Sequence, residues 1–159
     1  MLKKTLLVLA ALILCLGVVI ALQPSSFQVT RSATLAAPPE AVFPLVNDFH
    51  NWDAWSPWAK LDPAMKTSHG GPGAGAGATY AWTGNRQAGQ GRMEILESRA
   101  GEWVRIKLDF IKPFESTSDT NFAFKPGPAG TTVTWTMGGA NTFLGKAFCL
   151  FTGGMDKAI

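Results

Sequence analysis

Thr79-Tyr-Ala-Trp-Thr83, Gly91-Arg-Met-Glu-Ile95, Val104-Arg-Ile-Lys-Leu-Asp-Phe110, Asp119-Thr-Asn-Phe-Ala-Phe124 and Thr132-Val-Thr-Trp-Thr-Met137 alternate apolar with polar residues in successive runs. Side chains along a strand point to opposite faces in turn, so this period of two predicts strands with one dry face and one wet face. Tyr80, Trp82, Met93, Ile106, Leu108, Phe110, Phe122 and Trp135 share the dry parity. Arg92, Glu94, Arg105, Lys107, Asp109, Asp119 and the threonines take the other. Gly84 to Gly89, Ala100-Gly101, Lys112-Pro113 and Pro126 to Gly130 supply turn chemistry between runs, so the strands read as an antiparallel meander. Its dry face needs a cover.

Upstream, Phe27 to Leu35 alternates again and predicts a separate first strand. Ala37-Pro-Pro-Glu40 opens a short helix with proline in its first turn, where a missing N–H is harmless. Ala41, Val42, Leu45 and Val46 give it an apolar face, and Pro44 with Asn47-Asp48 limits it. Trp52, Trp55 and Trp58 follow within seven residues. They plug one end of the core with their indole N–H groups satisfied at its rim, or they line the mouth of a ligand pocket. Met65 to His69 reads as a short edge strand. Gly70 to Gly77 is glycine-rich, but it leads into a strand rather than a helix and lacks a Lys-Ser/Thr partner, so it reads as a rim loop and not a phosphate loop. After Met137, Gly138-Gly-Ala140 ends the sheet, and Asn141 or Thr142 is placed to cap a helix starting near Phe143, with Phe143 and Phe148 on its apolar face.

The 159 residues are one domain's worth beyond an N-terminal segment. Met1-Leu-Lys-Lys4 precedes Thr5 to Leu22, eighteen residues without a charge. That is the short end of a membrane span, and a cleaved signal segment is the rival reading. Lys3 and Lys4 predict a cytoplasmic N-terminus, with the domain outside the cytoplasm on the inner membrane, or secreted if the segment is cleaved. The organisation read from the sequence is therefore anchor or signal over 1–22, spacer over 23–26 and domain over 27–159. With Lys3 and Lys4 set aside, twelve cations face eleven anions. A balance that close, with no basic stripe, excludes a nucleic-acid partner. His50, His69, Cys15 and Cys149 show neither metal-ligand spacing nor a disulfide framework, so no metal or other cofactor is expected.

Arg31-Ser-Ala-Thr-Leu-Ala-Ala-Pro-Pro-Glu-Ala-Val-Phe43, Asn51-Trp52, Trp55-Ser-Pro-Trp58, Gly91-Arg-Met-Glu-Ile95, Lys112-Pro-Phe-Glu115 and Thr132 to Met137 together resemble the START-like (SRPBCC) superfamily. The branch they are most similar to is the polyketide cyclase/dehydrase and lipid transport family, in its membrane-anchored bacterial members. The resemblance implies an α+β helix-grip (START/Bet v 1-like) fold, in which a curved seven-stranded antiparallel sheet surrounds a C-terminal helix and two short helices close one end. A ligand cavity between sheet and helix then takes the dry-parity residues, the three tryptophans, Phe143 and Phe148 as lining. Relatives continue with a long C-terminal helix, so the stop at Ile159 leads one to expect a truncated and incompletely covered domain. Two functions follow from the resemblance: a membrane-tethered module binding a lipid or other hydrophobic small molecule, or a cyclase/dehydratase-like enzyme using the same cavity.

Overall fold

The computed structural model describes residues 2–152, and the side chains of residues 2, 58, 59, 144, 148, 149, 151 and 152 lie outside that description. The chain forms two compact units, Val29–Gly139 and a smaller one made of Met1–Gln28 with Ala140–Ile159.

Seven antiparallel strands make one sheet in the order β1-β7-β6-β5-β4-β3-β2. They are β1 (Ser26–Leu35), β2 (Lys66–Gly70), β3 (Thr79–Thr83), β4 (Gln90–Arg99), β5 (Trp103–Lys112), β6 (Ser116–Gly127) and β7 (Gly130–Ala140). The meander read from alternation is present from β3 to β7, and the suspected edge strand closes it as β2, with His69 opposite Tyr80. Opposed hydroxyl pairs Thr30–Thr136, Ser32–Thr134 and Thr34–Thr132, at 3.4, 2.9 and 3.0 Å, show that β1 runs antiparallel to β7.

Parity separates the faces as expected. Ile95, Val104 and Ile106 are fully buried on the dry face. On the wet face Arg92 and Lys107 approach Asp109 at 3.0 and 3.3 Å, and Arg105 approaches Glu97 and Asp119. Helix α2 (Pro39–Asn47) sends Val42, Phe43 and Val46 onto the dry face. A 3-10 turn, Phe49–Ala54, adds Phe49 and Trp52. Burying one such side chain is worth about 1.5–3 kcal/mol, so this cluster is the core that holds the sheet's shape.

The glycine-rich segment is a rim loop, as its sequence context implies. Gly75 N–H donates to the Asn47 carbonyl and Gly77 N–H to the Ile95 carbonyl, at 2.9 and 2.8 Å. Gly71, Gly75 and Gly77 have φ values of 72°, 79° and 86°, the left-handed region in which a side chain is strained. The Gly75 and Gly77 amides are committed to protein carbonyls rather than turned toward an anion.

In the smaller unit, α1 (Leu2–Ala21) carries no charge after Lys3 and Lys4, and Lys3–Ala21 is long enough to cross a membrane with only 6% of it buried. Helix α3 (Phe143–Thr152) is capped by Thr142, whose hydroxyl accepts from Gly145 N–H at 3.1 Å. Lys146 Nζ donates to the Ala21 carbonyl at 3.1 Å, setting a cation at the negative end of α1. The expected truncation of the last helix falls on residues 153–159, outside the described residues.

Candidate functional site

Helix α2 ends where Asp48 turns extended; the Asp48 N–H still donates to the Pro44 carbonyl at 3.2 Å, while the Leu45 and Val46 carbonyls need partners from beyond the helix. The next segment supplies them. Asn51 Nδ2 donates to the Pro44 carbonyl at 3.1 Å, Trp55 Nε1 to Leu45 at 2.8 Å and Trp52 Nε1 to Val46 at 3.0 Å. The spacing of Asn51, Trp52 and Trp55 thus serves as a three-residue helix cap. Trp52 is also stacked into the core, with Phe49 at 5.2 Å and Phe122 at 6.0 Å between ring centres. Trp55 is 37% exposed above it. The side chains of Trp58 and Phe148 lie outside the described residues.

The other expected lining residues divide into two groups. Tyr80, Met93, Ile106 and Phe122 are at most 9% exposed and belong to the packed core. Trp82, Leu108, Phe110 and Trp135 remain half-buried on the same face. Trp82 and Phe110 meet edge to face at 6.0 Å, and the backbone of Gly91 lies between them in register. A Cβ at Gly91 would stand inside the Trp82 ring, so glycine there lets the indole lie flat across β4. Trp135 is on the far side, opposite Phe122 in β7, and does not join that cluster. Phe143 belongs to the smaller unit and is 55% exposed.

Sequence reading missed two residues beside this cluster. Ser118 faces Leu108 across the strands and Thr120 faces Ile106, so both hydroxyls stand on the dry face. They are 3% and 5% exposed, and Thr120 Oγ1 has no hydrogen-bond partner among the described residues. A buried hydroxyl without a partner carries a desolvation cost of about 1–3 kcal/mol unless a ligand or solvent meets it. The signal was available, since Ser116, Ser118 and Thr120 hold the parity of Phe122 and Phe124, but a polar residue at a dry position is easily read as the end of the strand's pattern.

A second constellation was also missed. Asp48 Oδ1 accepts from the His50 backbone N–H at 2.9 Å and contacts its Nδ1 at 2.7 Å. The His50 ring stacks on His69 at 4.2 Å, and His69 meets Tyr80 edge to face at 5.2 Å. Burial works against the charge of Asp48, but His50's N–H, ring and charge outweigh it and hold the carboxyl below its usual range. Burial, with Asp53 adding to it, pushes the Tyr80 phenol up. The two histidines lie far apart in sequence, His50 on the 3-10 turn after α2 and His69 on β2, and only the fold brings them together. Parallel rings direct their nitrogen lone pairs side by side rather than toward one point, which does not suit chelation of a single metal ion.

A depression of about 320 Å³ lies on the opposite, wet face, lined by Ser68, Ala81, Arg92, Glu94 and Asp109. Burial opposes the Asp109 charge there, yet Thr117, Arg92 and Lys107 more than compensate and lower its pKa. Its chemistry is that of a solvated ion-pair surface. The dry face, with half-buried aromatics beside buried hydroxyls, is the better candidate for an apolar ligand.

Comparison with known proteins supports the architecture. The family model described as polyketide cyclase / dehydrase and lipid transport matches residues 26–158. No curated protein sequence gives a significant match. Among solved structures, protein MLL2253 from Mesorhizobium loti is similar with a TM-score of 0.59 and 16% identity, over 83% of this chain and 88% of that one. Protein CV1439 from Chromobacterium violaceum is similar with a TM-score of 0.55 and 18% identity, over 80% and 88%. Protein Ms6760 from Mycobacterium smegmatis has a TM-score of 0.55 and 20% identity, over 82% and 83%. At such identities the likeness shows the fold, which is the α+β helix-grip class with a seven-stranded antiparallel sheet.

Proposed function

The chain belongs to the polyketide cyclase/dehydrase and lipid transport family of the START-like superfamily, and from that premise we propose that it is a membrane-tethered module binding a lipid or other hydrophobic small molecule. The ligand lies on the half-buried part of the dry face, against Trp82, Leu108 and Phe110, and α1 holds the module at the inner membrane with the domain facing outward. If α1 is instead cleaved as a signal segment, the domain is secreted. The observation that carries this reading is the pair of buried hydroxyls, Ser118 and Thr120, set on the face that carries Ile106, Leu108 and Phe122. A packed core gains nothing from an unpartnered Thr120 hydroxyl, whereas an amphiphilic guest with one hydrogen-bonding group does.

Thr120→Val tests this, because it keeps the shape and removes the hydroxyl. The variant melts at or above the wild-type temperature without ligand, yet binds a fatty alcohol or fatty acid more weakly while binding of a plain alkane is unchanged. Equal loss for both ligand types, or loss for neither, contradicts the reading.

A cyclase/dehydratase-like activity is the second reading, favoured by one observation. With Nδ1 directed to Asp48, His50 presents Nε2 as a base, next to His69 and the Tyr80 ring. His50→Gln and His69→Gln would each abolish turnover of a polyketide-like substrate on this reading. Undiminished turnover would remove it.

A further inference from the structure

We propose that the loop edge formed by residues 60–66, 84–89 and 111–115 docks on the surface of an anionic lipid bilayer. This rests on the membrane-tethered reading above and adds a second, independent point of contact to it.

Three apolar side chains stand out from this edge: Phe114 is 72% exposed, Leu61 40% and Ile111 39%. Single exposed apolar residues are ordinary on a protein surface, and what distinguishes these is that their loops are joined. Asn85 N–H donates to Asp62 at 2.6 Å, and Asn85 Nδ2 donates to the Leu61 carbonyl at 3.2 Å. The 84–89 loop closes through Gly84 N–H to the Gly89 carbonyl, and Gly89, at φ 67°, lies so close to Lys112 that a Cβ would sit 2.5 Å from its carbonyl oxygen.

The charges around the apolar tips are unequal. Lys60, Lys66, Arg86 and Lys112 are exposed, against Asp62 and Glu115. Asp62 is already engaged, accepting from the backbone N–H groups of Ala64 and Asn85. Apolar tips ringed by flexible cations suit the boundary between acyl chains and anionic headgroups, where the tips enter and the cations stay at the surface. The edge also continues into the candidate site, since Trp82 Nε1 donates to the Ala88 carbonyl at 3.0 Å.

Ser118 pairs with Gly139, and β1 runs antiparallel to β7, so β1 starts at the same end of the sheet as the β5–β6 hairpin. Only residues 22–25 lie between α1 and β1.

The test uses the full chain in vesicles, with Cys15→Ser and Cys149→Ser and one new cysteine carrying the fluorophore NBD, either Phe114→Cys or, as a wet-face control, Thr134→Cys. In vesicles of phosphatidylcholine with phosphatidylglycerol, the probe at 114 shifts to the blue and is quenched by nitroxide lipids at least several-fold more than the probe at 134. Lys112→Glu with Arg86→Glu reduces that quenching, as does pure phosphatidylcholine. A probe at 114 as water-exposed as that at 134, on protein that still floats with the vesicles, overturns docking and leaves the anchor standing. Shielding at 114 that persists in detergent and grows with protein concentration assigns the edge to a second copy and also overturns it. Protein that does not float with vesicles at all overturns the tether, and docking with it.

Discussion

The indole of Trp52 donates from Nε1 to the carbonyl of Val46 at 3.0 Å, closing the end of α2 from six residues downstream while its ring fills the core between Phe49 and Phe122. Trp52→Phe keeps much of the ring and leaves that buried carbonyl unpaired, so it costs about 1–3 kcal/mol. Trp52→Ala also opens a cavity and costs about 3–5 kcal/mol. Urea unfolding of the two variants checks the difference.

Gly91 is required by the Trp82 indole rather than by a turn. Gly91→Ala puts a methyl group inside the ring and 2.7 Å from the Asp109 carbonyl oxygen. The expected cost is about 1–3 kcal/mol from overpacking. Near-ultraviolet circular dichroism reports the displaced indole, and an unchanged spectrum with unchanged stability refutes the packing.

Asp109 makes the sheet sensitive to acid. Its pKa is lower in the folded chain than in the unfolded one, because Thr117, Arg92 and Lys107 favour the carboxylate despite its partial burial. Its stabilisation is present above the unfolded value of about 4 and is lost as pH falls through the lower, folded value. Asp109→Asn therefore lowers stability at neutral pH, while flattening the decline in melting temperature below about pH 4.

Much of the architecture is legible from side-chain parity. Val104, Ile106 and the residues opposite them hold one face because a strand's period is fixed by its backbone, whatever the partners. Thr142 as the cap of α3 is equally local. The candidate site was less legible for the opposite reason. Nothing near Trp82 in sequence says that Gly91 will let its ring lie across the next strand. His50 and His69 meet only where the 3-10 turn after α2 lies beside β2. Thr120 looks like an interruption until Ile106 and Met137 are seen on either side of it.

The anchor is tested by fusion. Lys3-Lys4 ahead of an uncharged helix predicts that alkaline phosphatase joined to the C-terminus is active and that alkaline carbonate leaves the fusion in the membrane fraction. An inactive phosphatase together with a fluorescent cytoplasmic reporter at the same position reverses the orientation.

The central claim is a hydrophobic guest on the dry face beside Leu108 and Phe110, and native mass spectrometry of the full chain released from detergent micelles tests it most directly. The wild-type chain is expected to carry a small molecule of defined, lipid-like mass, and Phe110→Asp, verified as folded by circular dichroism, is expected to have lost it. A bare polypeptide mass from the wild type, or the same guest retained by Phe110→Asp, would contradict the account.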